Sequence, residues 1–519
     1  MCHGRRRYRK FISFTSPIIS TDNPKDSITI IVELELKIPK PSVRRGTENV
    51  QFCTNHFSDV DNPIFVVIGL LSTGGDMSRS KKQNSITRRS FLKAAAASVM
   101  APAILPSKVF GKSAPSNTML IGCIGVGRQG QDDMQELIYR GLEVGARVSA
   151  VCDVDGHRLE DAQWLAEKIY ALESGKDSYK GCAAYRDFRE LLARQDIDGV
   201  LIVTPDHWHG AHAIAAANAG KDIHLEKPLT YSIAEGQKLV QAVRLNKRIL
   251  QVGSQQRSST YFLMACELTR NQRIGKLHTI HVWLPEDQGT GDPHPMPIPK
   301  NLDYNSWLGP APEAPFSEDR VHPQRNYSRP GWMQIEQYCR GMITNWGSHM
   351  SDIAQWGNGT DDTGPVEIEA KAKFPDRDLF DVHTTFRAEA VYANDVRLIM
   401  ETGDPAGVRF EGDKGWIFVQ RSEIQASDQE ILRQKIRDDE IKLYHSTNHM
   451  KNFLECMRSR KDPVAPVEVG HRSNTICVMT HIAMKLGRKL RWDPEAERFI
   501  DDEEANRWLD YPHREPWTV

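Results

Sequence analysis

The residues best suited to chemistry are Lys227, within Glu226-Lys227-Pro228, and a glycine turn upstream of it, Gly125-Val126-Gly127-Arg128-Gln129-Gly130. The turn follows an apolar run at 119–124 and leads into a helical pattern over 131–139, the setting in which glycines cradle a dinucleotide. Gly125 permits a tight turn, Gly127 lets the backbone approach a pyrophosphate, and Gly130 lets the helix lie close to its strand. Arg128 and Gln129 then open a helix whose N-terminus favours phosphate charge. A second apolar run, 146–152, ends in Asp153, whose carboxylate can accept hydrogen bonds from ribose hydroxyls and repel a 2′-phosphate. That favours NAD over NADP, while Arg158 keeps the phosphorylated cofactor open. Lys227 carries an ammonium that can donate to a carbonyl oxygen as negative charge grows there.

These residues need strands to hold them. Continuous apolar runs at 119–124, 146–152, 198–203, 222–225 and 248–252 alternate with helical segments such as 233–245, which implies a doubly wound parallel sheet over 117–254. Ligands bind beyond the carboxyl ends of such strands. Two of those ends carry polar clusters, Thr204-Pro205-Asp206-His207-Trp208-His209 and His224-Leu225-Glu226-Lys227-Pro228. Thr204, Pro205 and His209 are therefore read with Glu226 as lining the cofactor, and Trp208 as a face for a sugar ring. Histidines 207, 209 and 212 also invite a metal reading, which the lack of an acid or cysteine matched to them disfavours; no metal site is expected.

The balance of 67 basic against 68 acidic residues removes any general electrostatic case for nucleic acid or an anionic membrane surface. Nine scattered cysteines, none in Cys-x-x-Cys, indicate neither a disulfide framework nor a zinc ribbon. Thr87-Arg88-Arg89-Ser90-Phe91-Leu92-Lys93 before a small-residue apolar stretch at 94–105 resembles a twin-arginine export signal. Such a signal starts a chain, so translation is read as beginning at Met77, residues 1–76 as a disordered upstream extension without function, and 77–116 as signal and linker. The twin-arginine machinery carries folded proteins. Periplasmic or otherwise exported location with a tightly held cofactor is the expectation.

From residue 117 to 519 the chain resembles the Gfo/Idh/MocA family of glucose-fructose oxidoreductases and inositol dehydrogenases, through 124–130, 204–209, Glu226-Lys227-Pro228, 251–257 and 341–352. The resemblance implies that Lys227 reaches both nicotinamide and the reacting hydroxyl, and that Asn345 and His349, spaced i, i+4 on one helix face, act beside it. Relatives often have aspartate at the position of Asn345. An amide cannot take a proton, which leaves His349 as the base and Asn345 as an orienting group. Arg340, where relatives often have glycine, narrows the sugar pocket in this reading, and Arg257 contributes to substrate binding.

Residues 255–519 are expected to form a second α+β domain on a largely antiparallel open-faced sheet, with alternating apolar positions at Val366, Ile368, Ala370 and Ala372 and a hairpin turn at Asn394-Asp395. The resemblance implies that the open face makes a homo-oligomer, a dimer or tetramer. Two late helices, near 450–458 and 472–486, return to brace the cleft, and 285–330 is a long loop rimming the substrate site. Three functions compete: hydride transfer between a sugar, polyol or glycoside alcohol and nicotinamide; glycoside cleavage by transient oxidation and elimination with the cofactor recycled; and sugar sensing without catalysis.

Overall fold

The computed structural model describes residues 117–517 apart from 288, 377 and 378. The export signal and the upstream extension lie outside the described residues. Six parallel strands build the first sheet: β1 (Met119–Ile124), β2 (Ala146–Cys152), β3 (Ala183–Tyr185), β4 (Gly199–Ile202), β5 (Asp222–Leu225) and β6 (Leu250–Val252), in the order β3-β2-β1-β4-β5-β6. The order reverses between β1 and β4, which places a crevice at their carboxyl ends. Helices α1 (Arg128–Val144), α2 (Gly156–Glu173), α3 (Phe188–Leu192), α4 (Asp206–Asn218) and α5 (Ile233–Leu245) cover the two faces. Because both faces are covered, the strands are largely apolar, with Arg147, Ser149, Asp222 and His224 as exceptions, and β1, β2, β4 and β5 could be read as runs. The three-residue β3, Ala-Ala-Tyr, is too short to show a period and escapes that reading.

The second sheet has nine strands: β7 (Leu277–Leu284), β8 (Pro365–Lys373), β9 (Thr385–Tyr392), β10 (Arg397–Thr402), β11 (Gly407–Gly412), β12 (Gly415–Val419), β13 (Ile424–Ala426), β14 (Leu490–Asp493) and β15 (Arg498–Phe499). Only β7 and β10 pair in parallel; the other neighbours run antiparallel. Helices α6 (Thr260–Arg270), α7 (Tyr304–Leu308), α8 (Met342–Asn358), α9 (Gln429–Arg433), α10 (His449–Ser459) and α11 (Val467–Leu486) complete the described residues' longer elements. Side chains of α6, α8 and α11, among them Phe262, Cys266, Met350, Ile353, Ile476 and Ile482, bury the inner face of this sheet in one core. On the other face charged rows such as Arg387, Glu389 and Arg397 remain in water.

The return of the chain is more intimate than a brace. Met450, Phe453, Leu454 and Met457 of α10 join the core formed by α1 and the first sheet. The amide of Gln251 donates to the His449 carbonyl at 2.8 Å, and Val252 N–H donates to Ala465 O at 2.9 Å. Residues 449–465 thus pack against the first sheet although they lie between β13 and β14 of the second in sequence.

Arg257 lies where these layers meet, and here a sequence expectation fails. Only 2% exposed, it donates from Nε to Asp352 Oδ2 on α8 at 2.7 Å and from Nη2 to Asp361 Oδ1 at 2.7 Å, and Ser473 Oγ on α11 donates to the remaining oxygen of Asp352. Its guanidinium is consumed by two carboxylates, so it is a structural clamp and not a substrate ligand. Arg257→Met should leave Asp352 buried without its cation and cost about 3–5 kcal/mol of stability. Urea unfolding of the variant measures this; a midpoint equal to that of the native protein would return Arg257 to the list of binding residues.

Candidate active site

The glycine turn has the geometry a pyrophosphate cradle requires. Gly125 sits at φ +80°, and a β-carbon on Gly130 would stand 2.1 Å from the Gly125 carbonyl oxygen. Gly127 caps α1 without any side-chain hydrogen bond, and no acid occupies the first turn. Arg128 and Gln129 open that helix with exposed side chains, Gln129 donating to Asp133 at 2.9 Å. The N-terminal N–H groups are thereby left facing the crevice, and the residues present fit a dinucleotide phosphate.

Asp153 braces this turn. Its Oδ2 accepts from Val126 N–H and its Oδ1 from Asp155 N–H, each at 2.9 Å. Burial raises its pKa against those two donors, and each oxygen keeps a lone pair for another partner. Arg158 is engaged elsewhere. Its Nη2 donates to Pro323 O at 3.2 Å, and its guanidinium lies 4.7 Å over the ring of Tyr327.

The loop after β7 lies against the nucleotide edge. Tyr327 donates to Asp161 and accepts from Gln131, both at 2.8 Å. His322 and Asn301 reach the two oxygens of Asp155 at 2.9 and 2.8 Å. Those contacts hold the Asp155 carboxyl well below the usual carboxylate range despite its burial.

At the end of β5 the Lys227–Pro228 bond is cis, and the carbonyls that follow are held one after another. His209 Nδ1 meets Pro228 O at 2.6 Å, Asn474 Nδ2 donates to Thr230 O at 2.9 Å, and Arg340 Nε donates to Tyr231 O at 3.1 Å. Three side chains, two on helices and one in the loop before α8, therefore fix the loop that bears the lysine. His209 is 1% exposed, and its other nitrogen meets Thr204 O at 2.8 Å. It joins the ends of β4 and β5 and has no free nitrogen for cofactor. Arg340, buried and 4.5 Å over the Tyr231 ring, positions the same loop and does not narrow a pocket. Trp208 is also corrected: at 5% exposure it donates to Trp307 O at 3.0 Å and stacks on His212 at 4.3 Å, so no face is left for a sugar.

Around Lys227 the structure gathers ionisable groups that the sequence scattered. No described residue bonds its ammonium, yet that charge is felt at Asp133, Asp206, His209, Glu226 and His349. Glu226 is buried and accepts from Gln255 Nε2 at 2.5 Å; burial lifts its pKa and that of Asp133. Asp206, at the start of α4 beside Pro205, is pushed up to about 7 by burial, against a bond from the Cys339 thiol, and its Oδ2 has no partner. His349 is 5% exposed with an unbonded Nδ1. Burial, then the charges of Lys227 and Arg421, drive its pKa well below the ordinary value, so it stands as neutral imidazole. Asn345, one turn earlier on α8 and partly buried, has only a long contact from Nδ2 to Met333 Sδ at 3.9 Å.

Sequence reasoning missed Trp346 and Arg421. Trp346 neighbours the His349 ring edge-on at 6.3 Å, and Arg421, in the turn between β12 and β13, lies 4.5 Å over its indole. Arg421 sits in a hairpin remote in sequence and carries no local signal. Asp206 had a signal, its place in Thr204-Pro205-Asp206, but was passed over for its histidine neighbours.

Comparison with known proteins adds to this geometry. Residues 119–254 match the profile described as "Oxidoreductase family, NAD-binding Rossmann fold" and 273–519 that described as "Oxidoreductase family, C-terminal alpha/beta domain". An inositol 2-dehydrogenase of Salmonella paratyphi B is 31% identical over 165 residues, 32% of this chain and 45% of that protein. A glycosyl hydrolase family 109 protein of Shewanella amazonensis is 35% identical over 179 residues, 31% of this chain and 38% of its own. The chain spans less than half the length of these curated relatives. Among solved structures, levoglucosan dehydrogenase in complex with NADH and levoglucosan superposes with a TM-score of 0.53 at 17% identity, covering 72% of this chain and 99% of that one. WlbA dehydrogenase from Bordetella pertussis, in complex with NADH and UDP-GlcNAcA, gives 0.52 at 16% identity over 72% and 99%. At such identities the likeness is one of fold. With both halves of one family matched in order along the same chain, the protein belongs to the Gfo/Idh/MocA oxidoreductases.

Proposed function

We propose that the protein oxidises a secondary alcohol of a sugar, polyol or glycoside, with NAD as the hydride acceptor. The observation that carries this reading is the meeting of an unpaired ammonium, Lys227, with a neutral imidazole, His349, beside a glycine cradle. NAD, when bound, supplies the hydride-accepting carbon. The chain's own residues handle the oxygen and its proton. Lys227 donates a hydrogen bond to the substrate oxygen, Asn345 orients the hydroxyl, and His349 takes the hydroxyl proton as the carbonyl forms. Asp153 favours the unphosphorylated ribose, because Arg158 is already committed to Tyr327 and Pro323. The contacts of Tyr327, His322 and Asn301 along the nucleotide edge support slow release of cofactor.

A second reading, glycoside cleavage with the cofactor recycled, draws support from the glycosyl hydrolase family 109 match. Aglycone release from glycosides without net NADH distinguishes it from simple oxidation. Export remains part of the proposal through Arg88 and Arg89. Cell fractionation after replacing both by lysine should find the protein retained in the cytoplasm, and continued export would remove the assignment.

Lys227→Met keeps approximate length and loses the donor. Turnover should fall by at least about 100-fold while nucleotide still binds by calorimetry; near-native turnover would take the lysine out of the mechanism.

His349 must be neutral to accept a proton, and its pKa is depressed, so activity should persist below the ordinary histidine value of about 6.5 and fall only at lower pH. Asn345→Asp places a negative charge one helical turn away, favours the imidazolium, and should move that acid limb upward by about one unit. A limb that starts at or above the ordinary value, and does not respond to Asn345→Asp, would assign the proton to another group.

A further inference from the structure

Arg421 is out of place for a surface arginine. It projects from the turn between two strands of the second sheet, and its guanidinium is held 4.5 Å over Trp346, which in turn edges the His349 ring at 6.3 Å. Its charge is felt both at His349 and at Glu226, the neighbour of Lys227. Among the described residues nothing hydrogen-bonds or ion-pairs with it, although it is exposed and acids are plentiful elsewhere. Arg329, another arginine near the start of α8, is by contrast drawn to Asp287 at 3.7 Å. Burial presses the acids nearest Lys227, Glu226, Asp206 and Asp133, towards their protonated forms, which reduces the negative charge that offsets the two cations. A planar guanidinium held by stacking keeps its edge donors free and pre-aligned for two oxygens of one oxyanion.

We propose that Arg421 is a specificity-determining residue that binds an oxyanion carried by the substrate, making this an oxidoreductase of acidic sugars. The inference rests on the hydride-transfer reading for its reaction and on the Trp346–Arg421 stack for its substrate. A sugar carboxylate and a sugar phosphate share the required chemistry. The reaction balances as before: the hydroxyl proton passes to His349, the carbinol hydride passes to NAD, and the acidic group is unchanged.

Initial rates of NADH formation on methyl glucoside, methyl glucuronide and glucose 6-phosphate, with the galactose series in parallel, test this. In the native protein one anionic class should exceed its neutral counterpart in kcat/KM by about tenfold or more, and which class does so identifies the oxyanion. Arg421→Gln should reduce that ratio about tenfold, mainly through KM, while Arg421→Lys should keep part of it. A native preference for the neutral sugars, or an unchanged ratio in Arg421→Gln, overturns the inference and leaves the hydride-transfer reading standing. Calorimetric titration with the same sugars separates the remaining cases. If none is oxidised but an anionic one binds and Arg421→Gln loses it, the anion site stands and the reaction is wrong. If no anionic sugar is either oxidised or bound in preference, the inference falls.

Discussion

An unpaired ammonium at the carboxyl end of β5 is the constraint to which the surrounding structure answers. A lysine there could be quenched by any of three nearby carboxyls, Glu226, Asp206 or Asp133, and none of them bonds it. Burial raises all three, and Glu226 is turned towards Gln255. The charge is thereby kept available for a substrate oxygen. It also acts on its surroundings, lowering the proton affinity of His349 and His209.

The same low-dielectric setting separates histidines by role. His207, His209 and His212 are buried close together, yet their partners differ: the Trp307 carbonyl, the Thr204 and Pro228 carbonyls, and the Thr204 hydroxyl. Each has at least one nitrogen directed at a backbone or hydroxyl group of a neighbouring element, which makes them fasteners. His349 differs in that, among the described residues, neither of its nitrogens makes a hydrogen bond, and it feels the charge of the lysine. Two cations near one neutral base favour negative charge beside them, from which both the proposed stabilisation of a developing alkoxide and the proposed choice of acidic sugars follow.

Much of the nucleotide half was legible because parallel strands covered on both faces are largely apolar, and glycines at 125 and 130 stand where a β-carbon would collide. The second sheet was legible where one face is wet, as in the alternation along β8. What could not be read was the destination of long polar side chains. Arg257, Arg340, Trp208 and His209 occupy motif positions, yet each is consumed by partners far along the chain: Asp352, Tyr231, Trp307 and Pro228. Motif membership marks a neighbourhood, and only packing decides whether a residue in it touches ligand or holds one that does. Arg421 shows the converse, a residue outside every motif that the hairpin between β12 and β13 delivers to the cleft.

The most direct test of the account is isotopic. The native protein is incubated with NAD and a panel of neutral and acidic sugars deuterated at their carbinol carbons, and the nucleotide is then weighed by mass spectrometry. The account predicts one deuterium per reduced nucleotide, present with the native chain and lost with Lys227→Met. Nucleotide that binds yet gains no deuterium from any sugar in the panel would contradict hydride transfer as the function of this site.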